Sequence, residues 1–113
     1  MTYKAKKIVI ITEKVILEEL TDLIENCGAT GYTVYSAGGK GSRGMRASSR
    51  DSVTDAFANV KVEVITGDSN LASDIADKIT DTYFANYSGI IYLEDVEILR
   101  PQKFHKSGTD KFS

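Results

Sequence analysis

The hexapeptide Lys7-Ile8-Val9-Ile10-Ile11-Thr12 decides the fold of this 113-residue chain. Its four consecutive apolar, β-branched residues predict a central strand that is covered on both faces. Residues 32–36 predict a second strand, because β-branched and aromatic residues dominate there. Valines alternate with charged residues over 60–64 and predict a third strand. A fourth strand is predicted over 90–93, and the apolar residues between 96 and 99 either extend it or form a fifth.

Two amphipathic helices are predicted between these strands. In the first, apolar residues at positions 16, 20, 23, 24 and 27 fall on one helical face. Thr12 is expected to cap its N-terminus, and Gly28 is a natural cap for its C-terminus. In the second, Asp68 is the expected N-cap. Its apolar residues then recur every four positions, at Leu71, Ile75, Ile79 and Tyr83.

The resulting order, βαββαβ, predicts an α+β domain of the ferredoxin-like kind, with two helices on one face of a four-stranded antiparallel sheet. The opposite face is then left without helices. Val60, Val62 and Val64, together with the first strand, suggest that this bare face is apolar too and that identical subunits bury it. The domain is predicted to span residues 1–100, and a flexible polar tail is predicted over 101–113.

A long basic loop, residues 37–59, joins the second strand to the third. Before its first acid, Asp51, it contains four glycines, one lysine and three arginines. Connections longer than about 15 residues without regular structure are uncommon in compact domains and are usually functional or disordered. Glycines let a backbone approach a ligand closely, and arginines offer forked donors to phosphate or carboxylate. The composition predicts an anion receptor, and a solvated basic loop is the alternative.

A P-loop does not account for this segment. The residue five positions before Gly39 is Val34 rather than glycine, and Lys40 is followed by Gly41 rather than serine or threonine. No helical pattern follows, so the helix N-terminus that binds phosphate in P-loops is missing. The weaker prediction that remains is an anion site formed by backbone amides together with side chains of the loop, namely Lys40, Ser42, Arg43 and Arg46.

The remaining residues make no positive case for an enzyme. The single cysteine, Cys27, excludes an intramolecular disulfide and a cysteine-rich zinc site. His105, the single histidine, stands in the polar tail. No Ser-His-Asp arrangement and no metal-ligand spacing is identifiable. We therefore expect no catalysis, no metal and no tightly bound cofactor.

The charge distribution and the hydropathy limit which classes of partner are expected. The net charge of −2 divides into +2 within residues 37–59 and −4 elsewhere. The first and third strands carry Ile and Val rather than aromatic residues, so a nucleic-acid role is not expected. No apolar run approaches the length of about 18 residues that a membrane span needs. The N-terminal residues do not resemble a signal peptide, and a cytoplasmic location is expected.

Four segments together resemble the SbtB-type PII-like signalling proteins, and the likeness covers about residues 5 to 100. They are Ile8-Val-Ile-Ile-Thr-Glu-Lys14, Gly28-Ala-Thr-Gly-Tyr-Thr-Val34, Gly38-Gly-Lys-Gly-Ser-Arg43 and Tyr87-Ser-Gly-Ile-Ile-Tyr92. The resemblance implies a homotrimer that binds cyclic AMP, AMP, ADP or ATP in clefts between subunits. It also implies that residues 37–59 are a T-loop, whose order changes with the ligand.

The resemblance further implies which residues contact the nucleotide. In this chain they are Val34, Gly39, Lys40, Gly41, Ser42, Arg43, Arg46, Gly89 and Ile90. The implied partner is a sodium-dependent bicarbonate transporter, which would bring the protein to the inner face of the plasma membrane. Many SbtB-type chains carry a C-terminal Cys-Gly-Pro-x-Gly-Cys segment, whereas residues 101–113 contain no cysteine. Redox-controlled nucleotide hydrolysis tied to that segment is therefore in doubt here.

Two other functions fit the same residues. The first is a carboxysome-associated PII-like protein that binds ADP or AMP together with bicarbonate. The second, from another class, is a slow nucleotide phosphohydrolase that depends on Arg43 or Arg46.

Overall fold

The computed structural model describes residues 1–37, 40–41, 44–45 and 58–100. The tail over 101–113 and most of the loop over 37–59 lie outside the described residues. The elements are β1 (Tyr3–Glu13), a 3-10 turn (Lys14–Ile16), α1 (Leu17–Asn26), β2 (Thr33–Ala37), β3 (Lys40–Gly41), β4 (Gly44–Met45), β5 (Asn59–Thr66), α2 (Ser69–Tyr83) and β6 (Gly89–Ile98).

Four of these strands form the predicted antiparallel sheet, in the order β2-β5-β1-β6. This is the ferredoxin-like arrangement, with α1 and α2 on one face. β1 occupies a central position, and Ile8, Val9 and Ile10 are each at most 1% exposed, as the uninterrupted apolar run predicts. β6 pairs with β1 from Gly89 to Ile98, so residues 96–98 extend the fourth predicted strand rather than form a fifth.

The core lies between the helices and one face of this sheet. Val60, Val62 and Val64 are buried in the same cluster as the apolar residues of α1 and α2. The suggestion that these valines line the bare face is therefore wrong. A period of two shows that the three side chains share a face, but not which face the helices cover.

The sheet face without helices carries a mixture of apolar and charged side chains. Strand alternation and the register place Tyr35, Ile90 and Tyr92 on it, and each is between 42% and 50% exposed. On the same face, Lys7 pairs with Glu63 and with Glu94, at Nζ–O distances of 3.7 and 3.3 Å. Burial of this face by identical subunits stays a prediction.

The helix ends follow two of the three predicted caps. Asp68 Oδ1 accepts hydrogen bonds from the backbone N–H groups of Asn70 and Leu71, at 2.9 and 3.1 Å. Gly28, after α1, has a φ of 109°, which favours glycine. The prediction for Thr12 is wrong, because β1 continues through it and its hydroxyl donates to the carbonyl of Ser88 instead. None of the described helices is long and apolar enough to cross a membrane.

Candidate functional site

Both ends of the long loop and the first residue of β6 lie at the same end of the sheet. Ala37, the last residue of β2, pairs with Asn59, the first residue of β5. Asn59 in turn pairs with Glu13, and Thr12 pairs with Gly89 on the other side of β1. The two ends of the loop and the first residue of β6 are thus held by consecutive strands of one sheet.

The loop segment contains regular structure that the sequence did not predict. β3 and β4 pair as a short antiparallel ribbon, in which Lys40 is opposite Met45 and Gly41 is opposite Gly44. Two of the predicted phosphate contacts, Lys40 and Gly41, thus form one strand of this ribbon. The other predicted loop contacts, Gly39, Ser42, Arg43 and Arg46, lie outside the described residues.

Glu13 ties the turn before β6 to the end of β1. Its Oε2 accepts hydrogen bonds from the backbone N–H and the hydroxyl of Ser88, at 2.7 and 3.3 Å. The hydroxyl of Thr12 donates to the Ser88 carbonyl at 2.8 Å. The N–H of Lys14 donates to the carbonyl of Ala58 at 2.7 Å. This hydrogen bond attaches the C-terminal end of the loop to the residue that follows β1. The sequence does not reveal this role of Glu13, because its partner lies 75 residues away.

Gly89 is closely packed at the point where β6 begins. A Cβ at this position would lie 2.6 Å from Cε1 and Cζ of Phe84, and 3.0 Å from the carbonyl oxygen of Ile11. The aromatic ring therefore occupies the space into which a larger residue would project. The family resemblance implies a nucleotide contact at Gly89, and the observed packing against Phe84 gives a structural reason for glycine at this position that needs no ligand.

Val34 and Ile90 are the two apolar residues that the resemblance assigns to the nucleotide site. They lie far apart within one chain. Val34 pairs with Val62 and so shares the helix-covered face, whereas Ile90 pairs with Ile11 on the open face. β2 and β6 are the two edge strands, and three strand spacings separate them, about 14 Å. Both side chains are well exposed, at 40% and 50%. One subunit does not bring them into a single pocket.

Edge strand β2 also borders a groove of about 400 Å³ that sequence reasoning missed. Its lining offers hydroxyl, backbone, carboxylate, guanidinium and apolar groups from Thr30, Gly31, Tyr32, Thr33, Glu63, Ile65 and Arg100. The side chains from Thr33 to Ser36 are all exposed, so this edge is open along most of its length. No local pattern marks the groove, because its walls come from three separate parts of the chain.

Glu63 is the centre of an ion-pair network beside this groove. Its carboxylate accepts a hydrogen bond from the hydroxyl of Tyr35 at 3.2 Å and pairs with Lys61 at 3.4 Å. Burial raises the pKa of Glu63, but the hydrogen bonds from Tyr35 and Lys61 and the charge of Lys7 outweigh it, so the pKa lies below its ordinary value. The hydrogen bond to Glu94 raises the pKa of Lys7, against the effect of desolvation.

Comparison with known proteins identifies the same architecture elsewhere. Residues 5–103 match the family model described as nitrogen regulatory protein P-II. CPII from Thiomonas intermedia, solved with ADP and bicarbonate, is 30% identical, with a TM-score of 0.78 over 92% of this chain and 97% of CPII. A second CPII structure, solved with ADP, AMP and bicarbonate, has a TM-score of 0.80 at 28% identity, over 93% and 97% of the two chains.

A PII-like signalling protein from Thermus thermophilus is also similar. It is 27% identical, with a TM-score of 0.75 over 91% of this chain and 97% of that protein.

Proposed function

This chain belongs to the nitrogen regulatory protein P-II family, and from that premise we propose that it is a PII-like signalling protein that binds adenine nucleotides between the subunits of a homotrimer. The observation that carries the proposal is the arrangement at one end of the sheet. Both ends of the long loop, at Ala37 and Asn59, and the start of β6, at Gly89, are held there side by side. A ligand bound at this end would lie beside the two residues, Ala37 and Asn59, between which the glycine-rich basic segment runs.

The positions of Val34 and Ile90 support a site shared by two subunits. They lie on opposite faces and opposite edges of the sheet, about 14 Å apart across its strands. A nucleotide that contacts both therefore uses β2 of one subunit and β6 of the next. The groove beside β2, which includes Ile65 and Arg100, extends the contact surface along this exposed edge.

The loop would then report which nucleotide is bound. Lys40, Ser42, Arg43 and Arg46 supply the donors and positive charge for phosphate groups. Nucleotides with different phosphate counts make different contacts with the loop, and these bias its conformation. We propose that a partner protein recognises this difference, and that the partner is a sodium-dependent bicarbonate transporter, as the SbtB-type resemblance implies. Pulldown from membrane extract with cyclic AMP, AMP, ADP or ATP present tests this step.

A second function within the same family is combined sensing of ADP or AMP and bicarbonate. It is favoured by the similarity to CPII, whose structures contain these ligands. Calorimetric titration of each nucleotide, with and without sodium bicarbonate, separates the two. Bicarbonate-dependent ADP or AMP affinity supports combined sensing, whereas tight cyclic AMP binding that ignores bicarbonate supports the SbtB-type assignment.

Arg46→Ala tests the phosphate contacts. Loss of a hydrogen bond to a charged group costs about 1.5–3 kcal/mol, so ADP or cyclic AMP affinity should fall by a factor of about 10 to 150. Arg50→Ala is the matched control, because it removes an arginine from the same loop that is not among the assigned contacts. Sedimentation should show an unchanged trimer for both variants. Equal affinity of Arg46→Ala and the unmodified chain would remove Arg46 from the site.

We propose that the protein acts by binding rather than by catalysis. Incubation with ATP or ADP, followed by chromatography, distinguishes this from slow phosphohydrolysis. Recovery of intact nucleotide supports a binding role. Phosphate release that disappears in Arg43→Ala or Arg46→Ala would establish the hydrolase instead.

A further inference from the structure

A surface groove of about 450 Å³ lies between α1 and α2. Its charged groups are the carboxylates of Glu19 and Asp22 and the ammonium group of Lys78, so its lining carries one net negative charge. Leu23 and Cys27 also line it, and both pack against the hydrophobic core. The groove therefore combines apolar surface with an excess of carboxylate.

The acidity continues over the helices on both sides of this groove. α1 carries four acidic residues and no basic one, and α2 carries three aspartates and one lysine. All seven acidic side chains are exposed. Seven acids and one lysine give the two helices a net charge of −6, against −2 for the whole chain. A partner attracted to this surface is therefore cationic.

Tyr83 places a neutral polar group in the groove. The residue lines the groove and is only 8% exposed, and within the described part of the chain its hydroxyl makes no hydrogen bond. Only atoms of Asn59 are both enclosed and unpaired in that part, so the Tyr83 hydroxyl reaches solvent through the groove. Burial and the negative charges of Glu19 and Asp22 raise the pKa of Tyr83. The phenol therefore stays neutral near pH 7, and its oxygen can accept a hydrogen bond from a ligand.

This combination of acceptors suits a guanidinium group. A guanidinium has five donors in a rigid plane, so it can bond a carboxylate and a neutral oxygen at the same time, whereas an ammonium is a more strongly hydrated point charge. The aliphatic stem of an arginine can lie along the apolar surface of Leu23. The exposed acids beyond the groove attract further cationic groups, which favours an arginine within a basic protein segment over the free amino acid.

We propose that the groove between α1 and α2 binds an arginine side chain from a basic segment of a partner protein. Glu19 and Asp22 accept hydrogen bonds from the guanidinium, and the Tyr83 oxygen accepts one more. The helices lie on the side of the sheet opposite the face whose burial by identical subunits is predicted, so the proposed trimer leaves the groove open. This second interaction surface does not depend on nucleotide binding.

The direct test uses an acetylated and amidated peptide in which three arginines alternate with alanines. The same peptide with lysines in their place is the comparison. Each is titrated into the ¹⁵N-labelled full chain at a fixed, low ionic strength, and ¹⁵N–¹H correlation spectra are recorded. We expect the arginine peptide to shift backbone resonances within 19–27 and 78–83, and to bind about threefold more tightly than the lysine peptide. Absent shifts, shifts confined to other regions, or equal affinities would overturn the proposal.

Glu19→Gln and Glu18→Gln form a matched pair of variants. The two glutamates are neighbours on α1 and both are exposed, but only Glu19 lines the groove. We expect Glu19→Gln to weaken binding of the arginine peptide about fivefold, the upper range for a partly exposed ion pair, and Glu18→Gln to change it by less than about 1.5-fold. Equal losses would show general attraction to the acidic helices and would refute a specific site.

Two further variants test the remaining groups. Tyr83→Phe keeps the buried ring and removes only the hydroxyl, so binding of the arginine peptide should weaken by about threefold. Lys78→Gln removes the cation from the groove, so binding should become about twofold tighter. Unchanged affinity in Tyr83→Phe, or weaker binding in Lys78→Gln, would contradict the proposed geometry.

ADP calorimetry separates this inference from the proposed function. If ADP does not bind but the arginine peptide shifts the groove resonances, the nucleotide proposal fails and the groove proposal stands. If ADP binds while the peptide leaves those resonances unchanged, the groove proposal fails and the nucleotide proposal stands.

Discussion

Gly89→Ala tests the packing at the start of β6. The added Cβ would lie 2.6 Å from two ring atoms of Phe84 and 3.0 Å from the carbonyl oxygen of Ile11. The ring can turn, because it is the end of a side chain, but the carbonyl belongs to the pairing of β1 with β6. Overpacking of a core typically costs about 1–3 kcal/mol. Since the ring can relieve part of the clash, we expect a loss of about 1–2 kcal/mol.

Urea denaturation at a fixed protein concentration measures this loss, since stability that includes subunit association depends on concentration. A loss of this size also lowers the melting temperature by about 4–12 °C. Gly31→Ala is the matched control, because a Cβ at Gly31 meets nothing within 4 Å. We expect that variant to be neutral or slightly stabilised.

A double-mutant cycle shows whether Phe84 is the cause. In the Phe84→Leu background, Gly89→Ala should cost at least about 0.5 kcal/mol less than in the unmodified chain. Equal costs in the two backgrounds would refute the role of the ring. A Gly89→Ala variant as stable as Gly31→Ala would refute the packing argument altogether.

Two further predictions concern helix capping and acid stability. Asp68→Ala removes the acceptor for two N–H groups of α2. The free energy of unfolding measured in urea should therefore fall by about 0.5–2 kcal/mol. An unchanged urea midpoint would contradict this prediction. The pKa of Glu63 is lowered in the folded state from 4.5, so its contribution is present above about pH 4.5 and is lost as the pH falls through the lower folded value. The stability of Glu63→Gln should therefore decline less steeply than that of the unmodified chain below pH 4.5, and parallel curves would exclude the effect.

The parts of the fold that follow from local patterns could be predicted from the sequence. The run from Ile8 to Ile11 gave a central strand, and the four-residue repeat from Leu71 gave α2. Thr12 was assigned to the wrong role, because a threonine at a strand end can equally cap a helix or donate to a distant carbonyl. Only the tertiary structure brings Ser88 within reach of its hydroxyl.

The candidate site was less accessible to sequence reasoning, because its contacts join residues far apart in the chain. Glu13 meets Ser88 across 75 positions. Among the described residues, the buried Asn59 amide has no hydrogen-bond partner, and its burial follows only from the tertiary structure. Gly89 was assigned to the nucleotide site from the resemblance, which stays a prediction, and its packing against Phe84 follows only from the tertiary structure.

The central place of β1 has a consequence for synthesis of the protein. Ile8 is made early, but its partners Val64 and Leu93 follow 56 and 85 residues later. At about 5–20 residues per second, the ribosome adds the second partner roughly 4–17 s after the first strand. Until Val64 is made, this apolar segment of the nascent chain has neither neighbour, and until Leu93 is made it still lacks one. A chaperone that binds emerging apolar strands would therefore meet this chain first at Ile8–Ile11 and release it when β6 arrives.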